Sequence, residues 1–89
     1  MAVGAQPRRR PDVVWEELDG EVVIYDPAHT TSHLLNPSAA VIWALLDGSA
    51  TLAEVAADLA ETFGVEPTAM LDDVSSTVAA LECQGLLAD

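Results

Sequence analysis

The chain has 89 residues, 51% of them hydrophobic, with a mean hydropathy of +0.28, so it holds one small core and is too apolar for a disordered acidic tail. Fifteen acids stand against three arginines, Arg8, Arg9 and Arg10, giving a formal net charge of -12. From Pro11 to Asp89 there is no fixed positive charge, which excludes a face that neutralises nucleic-acid phosphates and leaves too little for an anionic membrane surface.

Met1 to Pro11 has no apolar periodicity and carries two prolines and the arginine run, so residues 1–11 are expected to form a flexible N-terminal segment and residues 12–89 the folded domain. No apolar stretch reaches the roughly 18 residues of a membrane span, and the N-terminus lacks the apolar region of a signal peptide. Cys83 is the single cysteine, which rules out a disulfide framework and fits a reducing cytoplasm.

Val13 to Leu18 is rich in β-branched and aromatic residues. Asp19-Gly20 then supplies a pair that tolerates positive φ in a tight turn, and Glu21 to Tyr25 resumes β character, which predicts a hairpin. After a turn over Asp26-Pro27-Ala28-His29-Thr30, a short third strand runs from Thr31 to Leu35. Asn36 is suited to an N-cap and Pro37 to the first helical position, opening a helix that runs to about Leu46 and stops at Asp47-Gly48. Thr51-Leu52-Ala53-Glu54 has capping-box spacing and opens a second helix ending at Phe63-Gly64. Glu66-Pro67 opens the third, with Met70, Leu71, Val74, Val78 and Leu81 at helical spacing and Gly85 ending it. Three strands followed by three helices predict an α+β domain, a three-stranded antiparallel sheet with helices on one face. The last two helices form a winged helix-turn-helix-like pair with the hairpin as wing. Yet Pro67 to Gln84 presents Asp72, Asp73, Ser75, Ser76 and Glu82 where a DNA-reading helix would present Arg, Lys, Asn or Gln.

Catalytic and metal chemistry find little support. Cys83 sits near a helix end with nothing to lower its pKa, and reads as a buried or half-buried helix residue. His29 and His33 fall across a turn and a strand, so their spacing does not build a metal face. Asp72 and Asp73 diverge by about 100° on a helix and read as solvated charge favoured by the helix dipole. An acidic carrier protein would need a modified serine directly after an aspartate at a helix start, whereas Gly48 separates Asp47 from Ser49. Neither a metal nor a cofactor is expected, and the chain is read as a non-enzyme.

A binding module remains. The third strand carries no Lys or Pro and suits an open sheet edge, where an added peptide strand finds unpaired backbone groups. Side-chain pockets are expected between that strand and the third helix, lined by Leu34 or Leu35 with Val74, Val78 and Leu81. The plainer reading makes each of these apolar residues core.

The run Leu34-Leu35-Asn36-Pro37-Ser38-Ala39-Ala40-Val41-Ile42-Trp43, followed by Leu46-Asp47-Gly48, Phe63-Gly64-Val65 and Asp72-Asp73-Val74, resembles the PqqD-like precursor-peptide recognition elements over Val13 to Leu87. The resemblance implies a winged-helix-like domain that binds the leader of a ribosomally made precursor peptide antiparallel to the third strand and packed on the third helix. Carried over by position, it implies Thr31, Ser32, His33, Leu34 and Leu35 from the strand and Met70, Asp73, Val74, Thr77, Val78 and Leu81 from the helix. It further implies a stand-alone adaptor of lasso-peptide biosynthesis, partnered by a leader peptidase and a macrocyclase. The alternative is a chaperone delivering a precursor to a radical SAM enzyme in quinone cofactor biosynthesis. The acidic residues Glu66, Asp72 and Asp73 near the proposed groove predict a leader containing Lys or Arg.

Overall fold

A computed structural model describes residues 4–88. The elements in chain order are β1 (Arg8–Arg9), β2 (Val14–Leu18), β3 (Glu21–Asp26), β4 (Thr31–Leu35), α1 (Pro37–Ala44), α2 (Leu52–Phe63), α3 (Pro67–Cys83) and β5 (Leu87–Ala88). The expected meander is present as an antiparallel sheet in the order β2-β3-β4. Its first turn places both Asp19 (φ 54) and Gly20 (φ 84) in the left-handed region, the geometry whose twist matches that of the flanking strands. Along β3 burial alternates strictly: Val22, Ile24 and Asp26 face inward, Glu21, Val23 and Tyr25 outward.

The helices begin where their caps direct. The Asn36 side chain accepts from the Ala39 N–H at 2.9 Å, and Pro37 follows at the first turn of α1. At α2 the Thr51 hydroxyl accepts from the Glu54 N–H at 3.1 Å while the Glu54 carboxylate accepts from the Thr51 N–H at 2.9 Å. Gly64, with φ 66, closes that helix in the left-handed conformation. At α3 the Glu66 carboxylate accepts from the Ala69 N–H at 3.0 Å. Trp43, Ile24, Leu52, Val74, Val78 and Leu86 have no exposed surface and fill the space between sheet and helices.

Two expectations are corrected. The first helix ends at Ala44 rather than near Leu46, because the Leu45 and Leu46 N–H groups donate three residues back, to the Ile42 and Trp43 carbonyls at 3.0 and 3.2 Å, instead of continuing the four-residue helical ladder. Nor does the N-terminal segment stand outside the fold within its described part. β1 pairs antiparallel with β5, Arg8 opposite Ala88 and Arg9 opposite Leu87. Pro7 is buried, its carbonyl accepts from the Gly48 N–H at 3.1 Å, and the Ala5 carbonyl accepts from the Leu52 N–H at 3.2 Å. Met1 to Val3 lie outside the described residues.

The arginines that look solvated in the sequence anchor this segment. The Arg9 guanidinium donates to the Trp43 and Ala44 carbonyls at 2.9 and 3.0 Å, satisfying the open C-terminal end of α1. It also lies 5.2 Å from the Trp15 ring centre and 5.9 Å from that of Trp43, and the two indoles meet edge to face. Arg10 donates to both carboxylate oxygens of Asp26, at 2.8 and 3.2 Å, and to the Gly85 carbonyl at 2.8 Å. Asp26 is fully buried, and it accepts also from the Ala28 N–H at 3.0 Å and from the His29 ring, whose Nδ1 lies 2.7 Å away. These donors hold its carboxyl down at about 2, with the His29 bond the largest cause and the Arg10 bonds opposing the desolvation that would raise it.

Candidate functional site

β4 is the outer strand of the sheet, hydrogen-bonded to β3 on one side. Register decides which of its side chains face the helices. Thr31, His33 and Leu35 lie opposite Asp26, Ile24 and Val22, the inward set of β3, whereas Ser32 and Leu34 lie opposite Tyr25 and Val23, the outward set. Leu35 is accordingly buried, and Leu34 is 66% exposed on the far face.

At the end of β4 the chain turns through Asn36, Pro37 and Ser38 into α1 and enters a groove of about 640 Å³ between α1 and α3. Val41 and Ile42 form its α1 wall, Leu59, Phe63 and Val65 come from the end of α2 and the loop after it, and α3 presents Met70, Asp73, Ser76 and Thr77. The α3 residues recur at helical spacing, so one stripe of the helix faces the groove. The groove is apolar along its walls, with carboxylate and hydroxyl groups among its lining on α3.

The expected site residues therefore divide. The structure brings Met70, Asp73 and Thr77 into the groove, and Thr31, Ser32, His33, Leu34 and Leu35 along the open edge that leads to it. Val74, Val78 and Leu81 are 0, 0 and 2% exposed and belong to the core, one position round the helix from the groove stripe. This corrects the expected lining by those three residues. Asn36, Ser38, Val41, Phe63, Val65 and Ser76 line the groove without having been singled out as site residues, and Phe63, at the end of α2, is 57% exposed. Cys83 is exposed rather than half-buried.

Electrostatically the groove end of α3 is negative. Glu66, the cap residue beside Val65, is held below the usual carboxylate range by the N–H groups of Ala69 and Thr68, so it is ionised at neutral pH, and Asp73 stands on the groove itself. Among the described residues no group of three His, Cys, Asp or Glu side chains is placed to hold a metal ion, and no helix is long and apolar enough to cross a membrane. The arrangement suits an extended segment that pairs its backbone with β4 and drops side chains into the groove.

Fold and site together define a small winged-helix-like α+β domain with an open edge strand running into an apolar groove. The chain belongs to the PqqD family: the family model for coenzyme PQQ synthesis protein D (PqqD) matches residues 21–87. Among solved structures it is similar to lasso peptide synthetase B1 complexed with the leader peptide, at 28% identity and TM-score 0.82, covering 96% of this chain and 100% of that one. It is similar to TbiB1 in complex with the TbiA(beta) leader peptide, at 25% identity and TM-score 0.81, covering 92% and 99%. The PqqD truncation of Methylobacterium extorquens PqqCD, a stand-alone recognition element for ribosomally synthesised and post-translationally modified peptides, shares the fold at 22% identity and TM-score 0.77, covering 93% and 88%. No curated protein sequence matches the chain.

Proposed function

We propose that the protein is a non-catalytic cytoplasmic adaptor that binds the leader of a ribosomally made precursor peptide and presents it to a leader peptidase and a macrocyclase. The observation that carries this reading is the open β4 edge running directly into the groove between α1 and α3. The leader adds as an antiparallel strand to Thr31–Leu35, with Met70, Asp73 and Thr77 meeting its side chains. Backbone hydrogen bonds, each worth about 0.5–1.5 kcal/mol net, then act together with apolar burial in the groove. Holding the precursor this way raises its effective concentration at the enzyme that works on it.

The leader-complexed lasso peptide synthetase B1, at 28% identity, supports the lasso-peptide branch over the quinone cofactor chaperone. The acidic groove end favours a leader carrying Lys or Arg. Fluorescence anisotropy with a labelled leader from the precursor gene next to this one is the direct test. Saturable binding that weakens moderately as salt shortens the Debye length from about 10 Å at 0.1 M to about 3 Å at 1 M is expected. Absence of binding up to high micromolar peptide would remove the reading, and salt-independent binding would remove its electrostatic part.

A further inference from the structure

The two ends of β4 are held in different ways. At its far end Leu35 is buried in the core and Asn36 caps α1, so packing and the helix fix the chain there. At its near end Thr31 and Ser32 are exposed, and an edge strand bonded on one side frays from such an end unless something outside the ladder holds it. Asp26, the residue opposite Thr31, supplies that hold. Its buried carboxylate accepts from the Ala28 N–H and meets the His29 ring, closing the turn that leads into β4. Thr30 in that turn has φ 54, a conformation that a β-branched residue keeps only where its surroundings impose it. Arg10 donates at 2.8 Å to the same Asp26 oxygen that His29 meets, and at 2.8 Å to the Gly85 carbonyl just past α3. Its guanidinium is thus a strut between the sheet and the end of α3, at the end of β4 away from the groove.

A leader added antiparallel to β4 has its amino-terminal half beside Leu35 and the groove and its carboxyl-terminal half beside Thr31. The chain that continues into the rest of the precursor therefore leaves the domain at the Asp26 end. We infer that Arg10, Asp26 and His29 are positioning residues for leader binding, holding the first half of β4 and its spacing from α3 so that the carboxyl-terminal half of the leader pairs with a strand already formed. The inference rests on the adaptor reading above and adds to it the residues that shape the exit of the precursor. None of the three has to touch the peptide. What they supply is preorganisation, because apparent affinity falls in proportion to the fraction of molecules whose edge is ready to pair. The N-terminal segment thereby acts on the peptide site through Asp26 and the turn, without lining it.

The test measures, by anisotropy, the affinity of the full chain for the leader encoded beside its gene and for the same leader shortened stepwise from its carboxyl end. Arg10→Gln removes the strut, whereas His29→Ala, at an exposed side chain, removes one partner of Asp26 and leaves the ion pair in place. Each is expected to bind the full leader about fivefold more weakly at a temperature where circular dichroism shows it folded. The gap from the parent protein is expected to close once the shortened leader no longer reaches Thr31. Amide exchange is expected to quicken in the turn before β4 and from Thr31 to His33, with α2 unchanged. Equal binding of the full leader by the parent and both variants would overturn the inference and leave the adaptor reading standing. So would a loss that is the same for every leader length, or faster exchange that spreads over α2, since both report general destabilisation. If Arg10→Gln does not fold, His29→Ala decides by the same criteria. Failure of the parent protein to bind the full leader would overturn the adaptor reading and this inference with it.

Discussion

Asp26 carries more of this fold than any other polar side chain. It is the one buried charged residue among those described, and it joins three parts of the chain: Arg10 from the N-terminal segment, His29 from the turn into β4, and, through Arg10, the Gly85 carbonyl after α3. Its carboxyl stands at about 2 in the folded protein against 3.8 ordinarily, so the unfolded chain binds the proton more tightly. The stability this contributes is fully present above pH ~4 and is lost as pH falls towards 2. Asp26→Asn is expected to lower Tm clearly at pH 7, and the gap from the parent protein should narrow between pH 4 and pH 2 when both are followed by thermal melts. A gap that stays constant over that window would show the carboxylate's charge to be irrelevant. At the groove, Thr77 is the cleaner probe than Val74 or Val78, which are core. Thr77→Arg places a bulky cation beside Asp73 and is expected to weaken a basic leader by about tenfold in anisotropy while changing stability by no more than about 0.5 kcal/mol.

The elements show where sequence patterns carry structural information and where they stop. Asp19-Gly20, the Thr51–Glu54 box and the prolines at 37 and 67 each act on their immediate neighbours, so the hairpin and the three helix starts were legible from the residues alone. Thr51→Ala, which removes one half of the box, is expected to cost about 1 kcal/mol in a urea titration with the slope unchanged. The groove was only partly legible. On α3, Val74, Val78 and Leu81 share helical spacing with each other as Met70, Asp73 and Thr77 do, and spacing cannot say which stripe meets α2 and which meets open space. Packing decides it: α2 takes the more apolar stripe. The contributions of Phe63 and Val65 come from the end of α2, whose approach to α1 is a tertiary fact.

At the scale of the whole molecule the largest departure from the sequence reading lies in residues 5–10. A two-residue strand flanked by prolines has no periodicity to detect, and its partners lie at the opposite end of the chain: Arg10 reaches the Gly85 carbonyl across 75 positions. Deleting residues 1–10 is therefore expected to do more than trim a tail. It removes the ion pair on Asp26, the donor at the end of α1 and the whole of β1, and it should lower Tm and the cooperativity of unfolding; a truncated protein with the parent melting curve would show the strap to be dispensable. Short domains bury a modest share of their surface, and an 89-residue chain gains proportionately from such added contacts.

Because β1 and β5 set Arg8 beside Ala88, the polypeptide leaves the domain where it enters, and the backbone is almost a closed ring. A short glycine-serine linker between the ends would complete it, and the exposed Asp19-Gly20 turn offers a place to cut it open again without disturbing β4 or the groove. Such a circularly permuted protein would carry its new ends at the tip of the hairpin, so that a fused enzyme could be hung from either site in turn and the reach of the adaptor measured as a length.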